Sequence, residues 1–490
     1  MRCPSLTRPD IRAATRVSRH HAGSARLLPP APSRSTPWGL RRTLIVLGLA
    51  SGLAAVQVEP ISLRNEHRLN FGELGSLSAG AVAARVTDPS SVWYNPGRLA
   101  QSFAPSISGS ASIFESATTE IAAADDTYQE STVNAIPGYV GATGRLPGVK
   151  DNQIMWGFGI VVPLYWESSL ENRNSQTVIY GPPNPGPYRL DTVGRVSAQS
   201  RLLVPAFALG TRITETSGLG LSLLFPIYDH RLERNTSEVS TTRGAYRSYW
   251  EIQEQRVASV RLGAGGYATW GPVATAIAMK SPSWRLASTS TAEWHAVLSS
   301  FATGTTVTSD ARIGDGRADF RSPFEATVAA SYTGSRVTAE LDLTYLAALG
   351  EFATVEGDLP IVTRRFNTVA ATDITTLSVG TPGTIALTQA LNVAVGLSWQ
   401  MSTTVGLHAG YAIDHSQIAD SNEFAAIDIS TFSAGFLYTK QRNSVFVGFY
   451  HQWSTTGTAS VFNSQTNANE DADVSISTLG LVLGGSYFLD

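Results

Sequence analysis

The sequence predicts an all-β protein, a transmembrane antiparallel β-barrel of about 14 strands with a small N-terminal plug segment. Three observations lead there. A basic leader with a short apolar run heads the chain; apolar and polar residues alternate with a period of two through paired segments; and brief turns alternate with long polar connections.

Composition sets the bounds first. Only 15% of the 490 residues are charged, against about 25% in soluble proteins, which disfavours a cytosolic multi-domain enzyme. With 43% hydrophobic and 9% aromatic residues the chain is not disordered. Its mean hydropathy of -0.01 is far from that of a helical membrane protein. The 43 glycines and 24 prolines, spread from end to end, suit many strands. Residues 1–56 hold nine arginines and one acidic residue, Asp10, which leaves 27 basic and 38 acidic side chains beyond them, a formal net charge of -11. That sign argues against a nucleic-acid partner. The single cysteine, Cys3, excludes disulfides, thiol catalysis and cysteine-based metal sites downstream.

Arg41 and Arg42 precede an apolar run, Thr43 to Val56, that ends in small residues. It is shorter than the roughly 20 residues of a spanning helix, so it reads as a signal peptide, with cleavage near Ala54 and a mature N-terminus between Ala54 and Glu59. The expected organisation is an Arg/Pro-rich extension or misplaced start at 1–37, a signal peptide at 38–56, a plug at 57–103 and the barrel at 104–490.

The clearest strand is Phe324 to Tyr332, with Phe324, Ala326, Val328, Ala330 and Tyr332 on one face and Glu325, Thr327, Ala329 and Ser331 on the other. After Thr333-Gly334 the alternation resumes through Val337, Ala339, Leu341, Leu343 and Tyr345, opposite Thr338, Glu340, Asp342 and Thr344. The same hairpin recurs at 391–399 and 405–413, with Asn392, Ser398, His408 and Asp414 on the polar face, and again at 432–453. These segments match the 9–11 residues a tilted strand needs to cross a bilayer. Tyr332, Tyr345, Trp399, Tyr411 and Tyr438 near their ends suit interfacial girdles. Strands are expected near 104–114, 133–145, 152–164, 199–212, 217–229, 254–269, 271–284, 322–333, 335–346, 390–400, 402–413, 430–440, 442–453 and 474–488. Long polar loops are expected near 115–132, 165–198, 230–253, 285–321, 347–389, 414–429 and 454–473.

Before the first strand, small residues fill Ser78 to Ala84. Asp88 can cap a short helix with Pro89 at its first position, and Pro96 should end that helix after Trp93 or Tyr94. The small-residue run, the acidic step at Asp88 and the turn Asn95-Pro96-Gly97 resemble the FadL superfamily of outer-membrane proteins, the long-chain fatty-acid and hydrocarbon transporters. Ala135 to Val140, Trp156 to Pro163 and Ser322-Pro323-Phe324 extend the similarity over most of the exported chain. Gly97 stands where the family has alanine, and Phe488 is followed by Leu489-Asp490 where family barrels end on an aromatic. Trp93-Tyr94-Asn95-Pro96 also resembles the PorV-like branch, which serves secretion. The resemblance implies a plugged barrel through which hydrophobic molecules pass and leave sideways into the membrane.

On that reading Asp88, Trp93, Tyr94, Asn95, Pro96 and Gly97 form the plug motif, with apolar surface exposed around Trp93 and Tyr94. Glu325, Glu340, Asp342 and His408 lie on polar strand faces and should line the lumen, with Arg85 and Arg98 of the plug as ionic partners. Gly157, Gly159 and Pro163 are the expected strand kink for a lateral opening. His-Glu-x-x-His, Gly-x-Ser-x-Gly and Gly-x-Gly-x-x-Gly are missing, so no enzyme, cofactor or metal site is expected. The acidic stretch Asn467 to Asp473 reads as a solvated loop ahead of a calcium site. Expected partners are the lipid bilayer, a hydrophobic solute and the barrel assembly machinery, for a monomer in the outer membrane of a Gram-negative-type bacterium. A PorV-like secretion barrel and a water-filled porin are the alternatives, and the plug argues against the porin.

Overall fold

The computed structural model describes residues 63–102, 104–123, 126–147, 154–180, 186–240, 245–300, 304–356, 359–367, 372–380, 384–420, 424–463 and 468–489. The leader with its cleavage interval and Asn467 lie outside them.

Fourteen antiparallel strands close on themselves. They are β1 (Ser106–Ala123), β2 (Asp126–Arg145), β3 (Ile154–Tyr180), β4 (Gly186–Thr214), β5 (Ser217–Leu224 and Ile227–Ser240), β6 (Ala245–Trp270) and β7 (Val273–Lys280 and Trp284–Ser300). Then come β8 (Thr305–Ala318 and Glu325–Thr333), β9 (Val337–Leu346, Val355–Glu356 and Leu359–Asn367), β10 (Thr372–Gly380 and Ala390–Gln400), β11 (Val405–Asp414), β12 (Ala426–Lys440), β13 (Asn443–Asn463) and β14 (Ala468–Phe488). β1 pairs with β14 from Ser106↔Phe488 to Ala122↔Asp473, so the sheet has no free edge along that join. Three short segments, Leu349–Ala353, Thr384–Leu387 and Ile418–Asp420, form a separate small sheet.

Alternation decides which face meets which solvent. Val328, Leu341, Leu343, Val395 and Leu397 are exposed, whereas their neighbours Thr327, Ala329, Glu340 and Asp342 are buried toward the lumen. An outward surface of this kind is stable only against hydrocarbon. Tyr332, Trp399 and Tyr438 point outward beside the short turns, and Tyr345 and Tyr411 point outward near the opposite level. On β9 the span from Val337 to Tyr345 corresponds to roughly 20–25 Å along the barrel axis for a strand tilted as in membrane barrels, the height of the apolar band. Beyond it the outward face of β5 turns from Leu219, Leu221 and Phe225 to Asp229 and Arg231, where water begins.

At that level several strands break together. Phe225-Pro226 splits β5, residues 281–283 split β7 and residues 319–324 split β8. Above the breaks the structure corrects the expected loops: much of 115–132, 165–198, 230–253, 285–321, 347–389 and 454–473 is paired strand, the acidic residues Glu470, Asp471 and Asp473 included. β3 and β4 stay in register out to Tyr180↔Gly186. Backbone hydrogen bonds sustain a ladder in water as well as in lipid, but with water on both faces the side chains lose the apolar alternation that marks a strand in sequence.

Candidate functional site

Residues 63–102 run through the lumen. They hold two short helices, α1 (Glu73–Leu77) and α2 (Ser91–Tyr94), and a 3₁₀ turn (Pro96–Gln101) capped by the Asn95 side chain; α2 starts two residues later than expected, at Ser91 with Ser90 as its N-cap, and neither helix has a side-chain cap of its own. Asp88 accepts hydrogen bonds from the backbone N–H of Ser90 at 2.7 Å and of Glu73 at 2.9 Å, tying the start of α2 to the start of α1. Burial pushes the Asp88 carboxyl above its ordinary pKa, against the effect of these bonds. Asn95, forced into extended backbone by the following proline, ends α2 and accepts a hydrogen bond from Gly97 N–H at 3.0 Å. Its amide donates to Ala83 O at 2.9 Å and to Gly266 O on β6 at 3.3 Å.

The turn then rests directly on the barrel wall. A Cβ at Gly97 would lie 2.7 Å from the Gly265 carbonyl oxygen, and one at Gly220 of β5 would lie 2.3 Å from the Pro96 oxygen. Only glycine on both sides allows this approach of backbone to backbone. It also explains the glycine at position 97.

Charged groups hold the middle of the segment. Asp342 Oδ2 on β9 accepts from Val82 N–H at 2.9 Å and Ala83 N–H at 3.0 Å, and Glu340 Oε1 accepts from Ala84 N–H at 2.6 Å. Glu340 also pairs with Arg85 Nε, and Arg85 Nη1 donates to Ser398 Oγ at 2.9 Å. Further along, Lys280 Nζ lies 2.8 Å from Glu325 Oε1 and 3.6 Å from the centre of the Trp93 ring. His67 Nε2 lies 3.5 Å from the other Glu325 oxygen. Burial lowers the His67 pKa, yet the adjacent Glu325 charge and hydrogen bond more than offset this and leave it raised. Arg68 pairs with Glu115 of β1 at 2.7 Å and donates to the Tyr165 carbonyl of β3.

The pairing of β2 with β3 is short. β2 and β3 pair from Arg145↔Met155 only as far as Tyr139↔Val161, while β3 continues with β4 and β2 continues with β1. One extra residue on β3 between Val161 and Leu164 shifts its register, a bulge that contains Pro163. Leu69 N–H donates to Pro163 O at 3.0 Å, so the N-terminal segment lies along the freed stretch. Between the segment and strands β7 to β12 lies a cavity of about 70 Å³ bordered by Trp93, Tyr94, Lys280, Glu325, Asp342 and Asp414.

No protein-family model and no curated protein matches the sequence. Solved structures do match. A FadL homologue from Pseudomonas aeruginosa superposes with a TM-score of 0.51 at 11% identity, covering 89% of this chain and 100% of its own. A toluene transporter, TodX, from P. putida gives 0.51 at 11% identity, with 86% and 99% covered. The chain has the FadL fold.

Within that FadL fold the residues singled out from sequence fall as follows. Trp93 is buried among Phe71, Val92, Leu99 and Tyr139, and Tyr94 packs against the same group, so the wide apolar exposure expected around them is reduced to the cavity wall. Arg98 makes no ion pair among the described residues. It lies 4.6 Å over the Tyr267 ring, and burial lowers its pKa to about 10. His408 bonds Ser398 at 2.8 Å and stays on the wall. Gly157 and Gly159 sit in regular pairing with β2 and β4, where a Cβ would press on Val92; the irregularity belongs to Pro163 alone. His67, Arg68 and Lys280 were not singled out. Lys280 carried a signal, since it continues the inward-facing series Ala276 and Ala278 on β7.

Proposed function

We propose that this chain is a member of the FadL superfamily that lets hydrophobic molecules cross the outer membrane of a Gram-negative-type bacterium after cleavage of its leader. In this reading residues 63–102 are the plug, anchored by the Arg85–Glu340 pair and by Asp342. They deny small polar solutes an open lumen. A hydrophobic solute collects in the cavity beside Trp93 and leaves sideways between β2 and β3, reaching hydrocarbon without crossing water. The interrupted pairing of β2 and β3 beside the plug carries this reading. Apolar solutes of either the fatty-acid or the hydrocarbon kind suit a seam that opens onto lipid.

Mature protein in liposomes tests both halves. Deleting residues 74–97 should raise ion conductance and abolish saturable uptake of hydrophobic solute. Deleting Pro163, which removes the extra residue of β3, should leave conductance low and cut uptake. If neither deletion changes either quantity, the plug and the seam have no part in passage.

A further inference from the structure

We propose that Phe320 is the outer gate of the lumen and that Arg64 is the pin that holds it shut, so that a hydrophobic solute enters from outside only when the head of the N-terminal segment releases this ring. The inference rests on the transport reading and adds the entry step to it.

The gate is built where the strands leave the membrane. Residues 319–324 interrupt β8, and there the Phe320 side chain turns into the apolar cluster of the lumen. Its ring stacks on Tyr228 of β5, with 4.0 Å between centroids and 17° between planes. The Arg64 guanidinium lies 4.3 Å from the centre of the same ring, and its Nη2 donates to the Arg321 carbonyl at 2.7 Å. With one face taken by Tyr228, the guanidinium covers the other. A cation over an aromatic face is favourable, and more so away from water.

The same guanidinium gathers two more rings. It lies 5.3 Å from the centre of Phe352, on the small three-stranded sheet, and 5.9 Å from that of Phe424, which precedes β12. Phe424 in turn lies 5.9 Å from the His230 ring on β5. In a ring of fourteen strands β5 and β12 stand seven apart, on opposite sides, so this contact bridges the lumen. Tyr228, Phe320, Phe352 and Phe424 are all buried, and Arg64 among them is 7% exposed. The rings and the guanidinium form one bar across the mouth.

What lies below the bar gives it a purpose. Barrel interiors are ordinarily polar, yet from Tyr228 and Phe320 a buried apolar cluster continues through Leu202, Val204 and Leu164 to Val161, the last residue of β3 paired with β2. Apolar solute that passes the bar meets this surface and is led to the place where the pairing ends. Phe320 can move without loss of strand ladder, because its segment is outside the strands; Asp319 N–H on Thr354 O and Ser322 N–H on Ser283 Oγ, each at 2.8 Å, anchor its two ends. The pin, in contrast, belongs to the N-terminal segment, where the neighbouring Asn65 amide donates to Ile427 O of β12 at 3.1 Å. Movement of that segment therefore frees the ring.

Beyond its leader the chain has no cysteine, so a single Val204→Cys reports access through the bar. Leu202 of β4 lies opposite Tyr228, and Val204 is two residues further toward the short turn. Mature protein carrying this cysteine in lipid nanodiscs is exposed to a membrane-impermeant methanethiosulfonate, with heat-modifiable gel mobility reporting that the barrel is folded. Labelling should be slow, and Phe320→Ala or Arg64→Met should each speed it about tenfold, the range of one aromatic or cation–π contact. Phe320→Tyr, which keeps the ring, should leave it slow. Fast labelling without either substitution, no change on Phe320→Ala or on Arg64→Met, or acceleration by Phe320→Tyr as large as by Phe320→Ala would each overturn the proposal. Uptake of the fluorescent probe N-phenyl-1-naphthylamine into proteoliposomes is read separately and should be faster in Phe320→Ala than in the unsubstituted protein. Absence of uptake in both removes the transport reading, while the labelling rates still judge the gate.

Discussion

Single side chains decide whether the N-terminal segment stays seated. Asn95 is the clearest case, because its amide satisfies Gly97 N–H, Ala83 O and Gly266 O in a fully buried place. Asn95→Ala removes these three buried hydrogen bonds, a loss of about 2–5 kcal/mol in docking. The expected outcome is a barrel of normal gel mobility whose residues 63–102 become cleavable by protease. His67 gives the docking a pH dependence. Its pKa is raised in the folded state, so the His67–Glu325 attraction is fully present below the ordinary value of 6.5 and fades as pH rises through the raised one. Glu73 acts with the same sign at lower pH: burial and then the Asp88 charge raise its pKa, so the docked state gains as the carboxyl takes a proton. Protease resistance of the segment should fall as pH climbs past 6.5. His67→Gln should flatten that part of the profile and leave the acidic part in place.

At the scale of elements, one strand carries two solvents. Leu341 of β9 is exposed to lipid, while Thr338 of the same strand faces inward near the short turn. An arginine on the lipid face near the midplane costs roughly 2–4 kcal/mol, whereas lumenal changes alter selectivity. Leu341→Arg should sharply reduce the folded fraction seen by heat-modifiable mobility, and Thr338→Arg should not. Equal tolerance at the two positions would contradict the register of β9. The wall glycines work at this scale too, since β5 and β6 can receive the Asn95-Pro96-Gly97 turn only where they carry no side chain.

For the whole molecule, closure is the organising fact. β1 and β14 come from opposite ends of the described chain, and their pairing completes the ring. Truncation before Val474 would leave β1 and β13 with unpaired edges at membrane depth, where each unsatisfied backbone group costs several kcal/mol. Such a protein should fail to insert into liposomes, read as loss of the heat-modifiable band. Within that wall the pairing of β2 with β3 ends at Tyr139↔Val161, beside the bulge that contains Pro163.

Much of this was legible in the sequence, and the reason is environmental. Lipid outside and a polar lumen inside impose strict alternation, so the hairpins at 324–345 and 391–413 declared their inner and outer faces, and Glu325, Glu340, Asp342 and His408 could be assigned to the lumen from pattern alone. The end of α2 at Tyr94 was likewise local, since it follows from Asn95 preceding proline. Above the membrane the alternation disappears, and the tall continuations of β1 to β10, β13 and β14 were invisible for that reason. Partnership was invisible as well. Arg85 meets Glu340 across 255 residues of chain, Arg98 finds the Tyr267 ring where a carboxylate was expected, and Gly157 yields to Val92 where a kink was expected. By itself the sequence determined the barrel, its faces and its turns, because each depends on neighbours along the chain. Which groups meet in the lumen, and where the pairing of β2 with β3 ends, depend on groups brought together across strands, and only the tertiary structure decided them.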